Sequence, residues 1–284
     1  MRGAGARLAL LAVLRAACAA ALDFAPLQQE VRAALLREPL APCQQPGGAV
    51  MITYVNHHAF SLLQLQREAM ELGGMRECIE QRFVTVCLDA RCPEMCREFG
   101  VPNCVDLSIE TAASPFLTRD FTYIVYVKHE IMLSALSIAT EVFFVDTDAL
   151  IFDDPWRFPM GTYDLMHQSE SATLDVDQCS AQPNGGQLYV RQTPAALQFL
   201  ENMMTHKEDI LDGHKGLGQG YIVRAAEAAG ASRCALNQTL FAGHCEARNR
   251  ADSVAHSVVY HFSCLSTYKH RHMSEALESR RGPR

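Results

Sequence analysis

Asp146 and Asp148, one threonine apart, follow the apolar run Val142 to Val145. A second acidic pair, Asp153 and Asp154, precedes Pro155. The apolar run predicts a buried strand. Carboxylates at the C-terminal end of such a strand stand where open α/β sheets bind their ligands. Two of them in this pattern suit three kinds of chemistry. They can hold a divalent ion against a diphosphate, offsetting its charge and stabilising the departing nucleoside diphosphate. They can act on a phosphate directly, one as nucleophile. Or they can cap the following turn, a common structural use of Asp.

The second possibility corresponds to phosphatases of the haloacid-dehalogenase type, which also carry Asp-x-Asp after an apolar strand. Their motif continues with an apolar position and then Thr or Val, whereas Ala149 is followed here by Leu150. It also lies near the start of the domain, and about half of this chain precedes Asp146.

The elements that must position the acidic pair can be read from the pattern of apolar residues. Strands are predicted at Val50 to Val55, Phe83 to Leu88, Val142 to Val145, Leu188 to Val190 and Val258 to Phe262. Helices are predicted at Leu27 to Leu36, Phe60 to Leu72, Pro93 to Phe99, Pro194 to His206 and Gln219 to Ala229. Phe121 to Ile138 is rich in strand formers, but its length without Gly or Pro favours a helix leading into the Asp strand. Strands alternating with helices predict an α/β fold, a mostly parallel sheet flanked by helices. The last residues, Glu278 to Arg284, read as a solvated, frayed tail.

Composition narrows the classes. With 284 residues, 49% of them apolar, the chain can bury a large core, and 20% charged residues argue against disorder. A net charge of −7 disfavours a broad nucleic-acid surface. Arg2 and Arg7, the apolar run Leu8 to Leu14 and the small residues Ala16 to Ala21 have the layout of a secretory signal peptide or short membrane tether. Removal of a segment containing Cys18 would leave ten of the eleven cysteines, an even number suited to disulfides. Cys87, Cys92, Cys96 and Cys104 cluster without the paired spacing of a structural zinc site. The sequon Asn237-Gln238-Thr239 is consistent with a lumenal protein.

From about Ala49 to Met273 the order of motifs resembles the nucleotide-diphospho-sugar transferase family, in the branch containing plant and algal arabinosyl-, xylosyl- and galactosyltransferases. "ITYVNHHAF" is similar to its first strand and turn, and "FVTVCLDARCPEMCREFGVP" to its second strand and Cys-containing helix. "YVKHEIMLSALSIATEVFFVDTDALIFDDPW" matches its long helix and Asp-x-Asp strand. "NGGQLYVRQTPAALQFLENM" and "YHFSCLSTYKHRHM" resemble its Asn-x-Gly segment and its closing His…Lys segment.

The resemblance implies a single GT-A-type, Rossmann-like α/β domain over 49–273. Residues 1–22 precede it as a targeting segment, 23–48 as a lead-in, and 274–284 follow as a flexible tail. It implies an enzyme that transfers a sugar from a nucleotide sugar, a UDP-sugar above all, to a glycan or glycoprotein in the Golgi. Asp146, Asp148 and His261 would hold Mn²⁺ or another divalent cation. Thr53 and Asn56 would read the base and ribose, Asn184 and Gly185 would lie beside the sugar, and Lys128 and Lys269 would reach the donor phosphates. Gln219 would stand at the reacting carbon, with Asp148 the other catalytic candidate. One departure is plain. Where the family has an acid before this glutamine, the chain has Gly218. Asp209 or Asp212 would then supply the carboxylate, or the sugar is held differently, or the protein binds without turnover.

Overall fold

The computed structural model describes residues 22–107, 109, 118–170, 178–213, 218–244, 253–263, 265 and 268–282. Helix α1 (Ala25–Leu35) leads into strand β1 (Ala49–Val55), a 3₁₀ turn at His57–Ala59, α2 (Phe60–Leu72) and α3 (Arg76–Glu80). Next come β2 (Phe83–Cys87), α4 (Cys92–Glu98), β3 (Cys104–Asp106), the long helix α5 (Arg119–Leu136), β4 (Glu141–Val145) and β5 (Ala149–Ile151). The remainder comprises β6 (Leu165–Ser169), β7 (Pro183–Arg191), α6 (Pro194–Thr205), α7 (Lys207–Gly213), α8 (Gln219–Ala229), β8 (Arg233–Ala235), β9 (Phe241–Gly243), α9 (Ser253–His256), β10 (Val259–His261) and α10 (Lys269–Arg281).

Seven strands form the main sheet in the order β3-β2-β1-β4-β7-β6-β8. β7 alone runs against its neighbours β4 and β6, and the other pairings are parallel. The expected mostly parallel α/β architecture is therefore present. Alternation along the strands feeds two cores. Val50, Ile52, Val142 and Phe144 point to one face, with α1, α5, α6 and α8. Met51, Val55, Phe143 and Val145 point to the other, with α2, α3 and α4. Both faces are covered, which is why β4 reads as an unbroken apolar run and not as an alternation. Each fully buried Val or Phe of this kind contributes roughly 1.5–3 kcal/mol.

The ambiguous segment 121–138 is helical. Thr118 caps it, its side chain accepting from Phe121 N at 3.2 Å. Val258 to Phe262, read as one more strand, supplies β10, but in a separate three-stranded sheet, β5-β10-β9. Within the expected frayed tail, Glu278 to Arg281 instead form the last turn of α10, and 283–284 lie outside the described residues. Met273, Ala276 and Leu277 pack against Leu150, Phe152, Tyr260 and Phe262, and the Arg280 guanidinium lies 4.3 Å from the Phe152 ring centroid. Burial on one face offsets the cost of ordering a polar helix.

Disulfides join Cys43 to Cys78, Cys87 to Cys92, Cys96 to Cys104 and Cys179 to Cys234. Cys18, Cys245, Cys264 and all of the expected targeting segment but Leu22 lie outside the described residues. Among the described residues no helix is long and apolar enough to cross a membrane.

Candidate functional site

β4 ends at Val145, and the chain turns through Asp146-Thr147-Asp148 into β5. The turn is held from four sides. Asp146 N donates to Gly186 O at 2.8 Å, and Gln66 Nε2 donates to Ala149 O at 3.0 Å. The Thr147 hydroxyl donates to Tyr54 O, and Phe262 N donates to Asp148 O at 2.9 Å. Both carboxylates therefore leave a braced turn, beside the end of β10, which brings His261 to them.

His261 Nε2 lies 3.2 Å from an oxygen of Asp148 and 3.8 Å from one of Asp146. One ligand atom from each of the three residues falls within 4.8 Å of the others. A lysine stands against each carboxylate. Lys128 Nζ donates to Asp146 at 3.0 Å and to Gly185 O at 2.8 Å, and Lys269 donates to Asp148. Lys128 is enclosed, its ammonium 5.1 Å from the Phe144 ring centroid, whereas the Lys269 side chain is 34% exposed.

Burial alone would raise the Asp148 carboxyl, but Lys269 and His261 beside it hold it well below the usual carboxylate range. Burial would likewise lower the Lys269 ammonium, and Asp148 reverses this and raises it. Burial, with Asp146 and Asp148 close by, keeps the Tyr54 phenol protonated well above its ordinary value.

Beside the carboxylates opens a cleft of about 410 Å³, lined by Asp146, Asp148 and Lys269 together with Tyr54, Asn56, His58, Leu88, Ile124 and Tyr268 among others. Asn56 faces this cleft while its side chain caps the 3₁₀ turn, accepting from Ala59 N at 3.0 Å. Thr53 does not line it. It is fully buried one layer below, its hydroxyl 3.4 Å from that of Thr147. Asn184 and Gly185 do not form a turn, although Asn-Gly is a common hairpin dipeptide. They belong to β7, where Asn184 Oδ1 accepts from Gly186 N at 2.8 Å.

Gln219 opens α8, one turn before Ile222, which packs toward Gly185. Gly218 takes φ +79°, a left-handed backbone that glycine adopts without strain. Asp212 is paired with Arg119, and Asp209 lies 3.3 Å from His206, both on the outside of α7. These two are not gathered with the Asp146 group.

Residue-by-residue reading missed Gly186. A Cβ there would stand 2.1 Å from His261 Cε1, so the imidazole occupies the place of a side chain. The repeated glycine in "NGG" was the available signal. Tyr54 and Tyr268, lining the cleft, were also missed.

The sequence profile of nucleotide-diphospho-sugar transferases matches residues 78–273, most of the chain. The protein belongs to the nucleotide-diphospho-sugar transferase family and is a glycosyltransferase. Among solved structures it is similar to the galactosyltransferase LgtC in complex with donor and acceptor sugar analogues, at 13% identity and TM-score 0.50. That match covers 81% of this chain and 95% of the other. An active-site mutant of LgtC, with glutamine replaced by glutamate, matches at 13% identity and TM-score 0.51, over 81% of this chain and 95% of that one. At this identity the likeness is one of fold, and the fold is that of GT-A glycosyltransferases. A further match is the apo form of mouse xyloside xylosyltransferase 1, at 12% identity and TM-score 0.42, covering 76% of this chain and 98% of the other. No curated protein matches.

Proposed function

We propose that this glycosyltransferase uses a nucleoside-diphosphate sugar, specifically a UDP-sugar, and a glycan or glycoprotein acceptor, with a divalent cation such as Mn²⁺. The observation that carries the reading is the convergence of Asp146, Asp148 and His261, with the two carboxylates lining the cleft. Two carboxylate oxygens and one imidazole nitrogen, largely buried and within 4.8 Å of each other, are a donor set that suits Mn²⁺. An ion so held would neutralise charge building on the departing diphosphate.

The remaining roles fall to the chain's own residues. Lys269, a third exposed at the start of α10, is the ammonium able to turn from Asp148 toward a diphosphate. Lys128 is enclosed and tied to Gly185 O, so it fixes Asp146 and the backbone beside the sugar. Asn56 and Tyr54 flank the space for a base and ribose. Asn184 Nδ2, held 3.3 Å from Glu170, and Gly185 border the sugar. Gln219, at the mouth of α8, faces the reacting carbon. LgtC has an active-site glutamine, which supports that assignment. Thr53 acts one step removed, through Thr147 and the turn.

The reaction site is the secretory pathway, in the Golgi lumen. Four disulfides, an exposed sequon at Asn237 and the layout of the first residues support this placement.

A panel of nucleotide sugars, tested by thermal shift with Mn²⁺, identifies the donor, because a ligand of the native state raises its stability. One UDP-sugar should raise the midpoint above UDP-free protein. Equal midpoints with every nucleotide sugar would overturn the proposal.

A further inference from the structure

His261 turns Nε2 toward the two carboxylates. Its other ring nitrogen, Nδ1, lies 2.8 Å from Oε1 of Gln168 on β6. An amide can offer either its oxygen or its NH₂ group at such a place, so something must choose between them. Gln187 makes the choice. Its Nε2 lies 3.2 Å from Ala242 O, a carbonyl that can accept but never donate. The NH₂ end of Gln187 must therefore point that way, and the same group lies 3.4 Å from Gln168. Facing a donor, Gln168 presents its oxygen, and that oxygen also accepts from His261 Nδ1–H. Hydrogen is thus placed on Nδ1, and Nε2 is the ring nitrogen left to face Asp146 and Asp148.

All three side chains are buried, Gln168 at 1%, Gln187 at 0% and His261 at 5% exposure, so water does not compete for these bonds. Backbone geometry brings them together. His167 on β6 pairs with Leu188 on β7, but Gln168 pairs with Asn184, so residues 185–187 form an excursion from the ladder. Gly186, within that excursion, leaves the room the imidazole fills. Such irregularities re-aim side chains at functional sites.

We infer that Gln168, held by Gln187, is the positioning residue that orients His261 and fixes which of its nitrogens is offered as a ligand. This rests on the reading of Asp146, Asp148 and His261 as a metal site. Partners of this kind behind a ligating histidine are typically worth about 10- to 100-fold in metal affinity.

The test uses the full chain and Mn²⁺ alone, followed by the electron paramagnetic resonance signal of the free ion. Gln168→Met keeps the side chain's length and removes the acceptor. It should weaken Mn²⁺ binding by about 10- to 100-fold. Gln168→Glu keeps an acceptor for Nδ1–H and should bind Mn²⁺ at least as tightly as wild type. If Gln168→Met does not fold, Gln187→Met reads the same relay one step back and should cost about tenfold. Wild-type protein without Mn²⁺ affinity would sink the metal site itself. Wild-type binding matched by Gln168→Met, or by Gln187→Met where that variant stands in, would leave the site intact and overturn the role of Gln168.

Discussion

At the scale of single residues, the informative pair is Gly218 and Gln219. The family resemblance called for an acid at position 218. The backbone there is left-handed, and a Cβ would lie 3.1 Å from Ile210 Cγ2, so a glycine fits and a carboxylate would be strained. In the proposed function, chemistry at the reacting carbon would fall to the Gln219 amide, which is no strong base. It can hydrogen-bond the sugar and favour the positive charge that develops as the diphosphate leaves. Such a contact strengthens in the transition state, so its loss lowers kcat more than it raises KM. Gln219→Ala should bind UDP as wild type does and transfer sugar about 10²- to 10³-fold more slowly. Steady-state kinetics with the identified donor reads this out. Full activity in the variant would make Gln219 an ordinary first-turn residue of α8.

At the scale of elements, what could be read from sequence follows local periodicity, and what could not follows long-range contact. β4 was readable because it is buried on both faces, and α5 because eighteen residues without Gly or Pro make a poor strand. β3, β5, β8 and β9 have three residues each, too few for any period to appear, whereas β10 was legible as the apolar run Val258 to Phe262, though its place in a second sheet was not. Asp146 and Asp148 announce themselves by spacing. Gln168 does not, since its importance comes from the β6–β7 excursion that sets it against His261, 93 residues away.

Helix α5 also carries a pH dependence. His129 is buried beside Lys128, its Nδ1 2.9 Å from Tyr126 O. Burial first, and then the Lys128 charge, push its pKa down to about 3. His167, on β6, is pushed down to about 4, chiefly by burial. In the unfolded chain both titrate near 6.5. The unfolded state therefore binds protons first. Stability is full above about pH 6.5 and is lost as pH falls toward the folded values. His129 alone should cost about 2 kcal/mol between pH 8 and pH 5. Urea titrations at the two pH values should show this loss shrinking by about that amount in His129→Asn. An unchanged difference would mean that His129 is hydrated in the folded protein.

At the scale of the whole molecule, the four disulfides and the Asp site make separate claims. Cys43–Cys78 ties the lead-in to α3, and Cys179–Cys234 ties the approach to β7 onto β8. Each such bridge contributes typically about 2–4 kcal/mol. Mass spectrometry of protein from its native source should find these pairs bonded and the N-terminal segment removed. An intact Met1 with every thiol free would refute the lumenal assignment. The chain carries a net charge of −7, and two of its carboxylates line the cleft. A diphosphate placed there without a cation meets repulsion that Lys269, already engaged with Asp148, does not fully offset. Donor binding should therefore depend on a divalent ion, and calorimetric titration of UDP into the full chain measures this directly. Tight binding in Mn²⁺, with little or no heat in EDTA, is the expected result. Equal UDP affinity in Mn²⁺ and in EDTA would contradict the metal site and the function built on it.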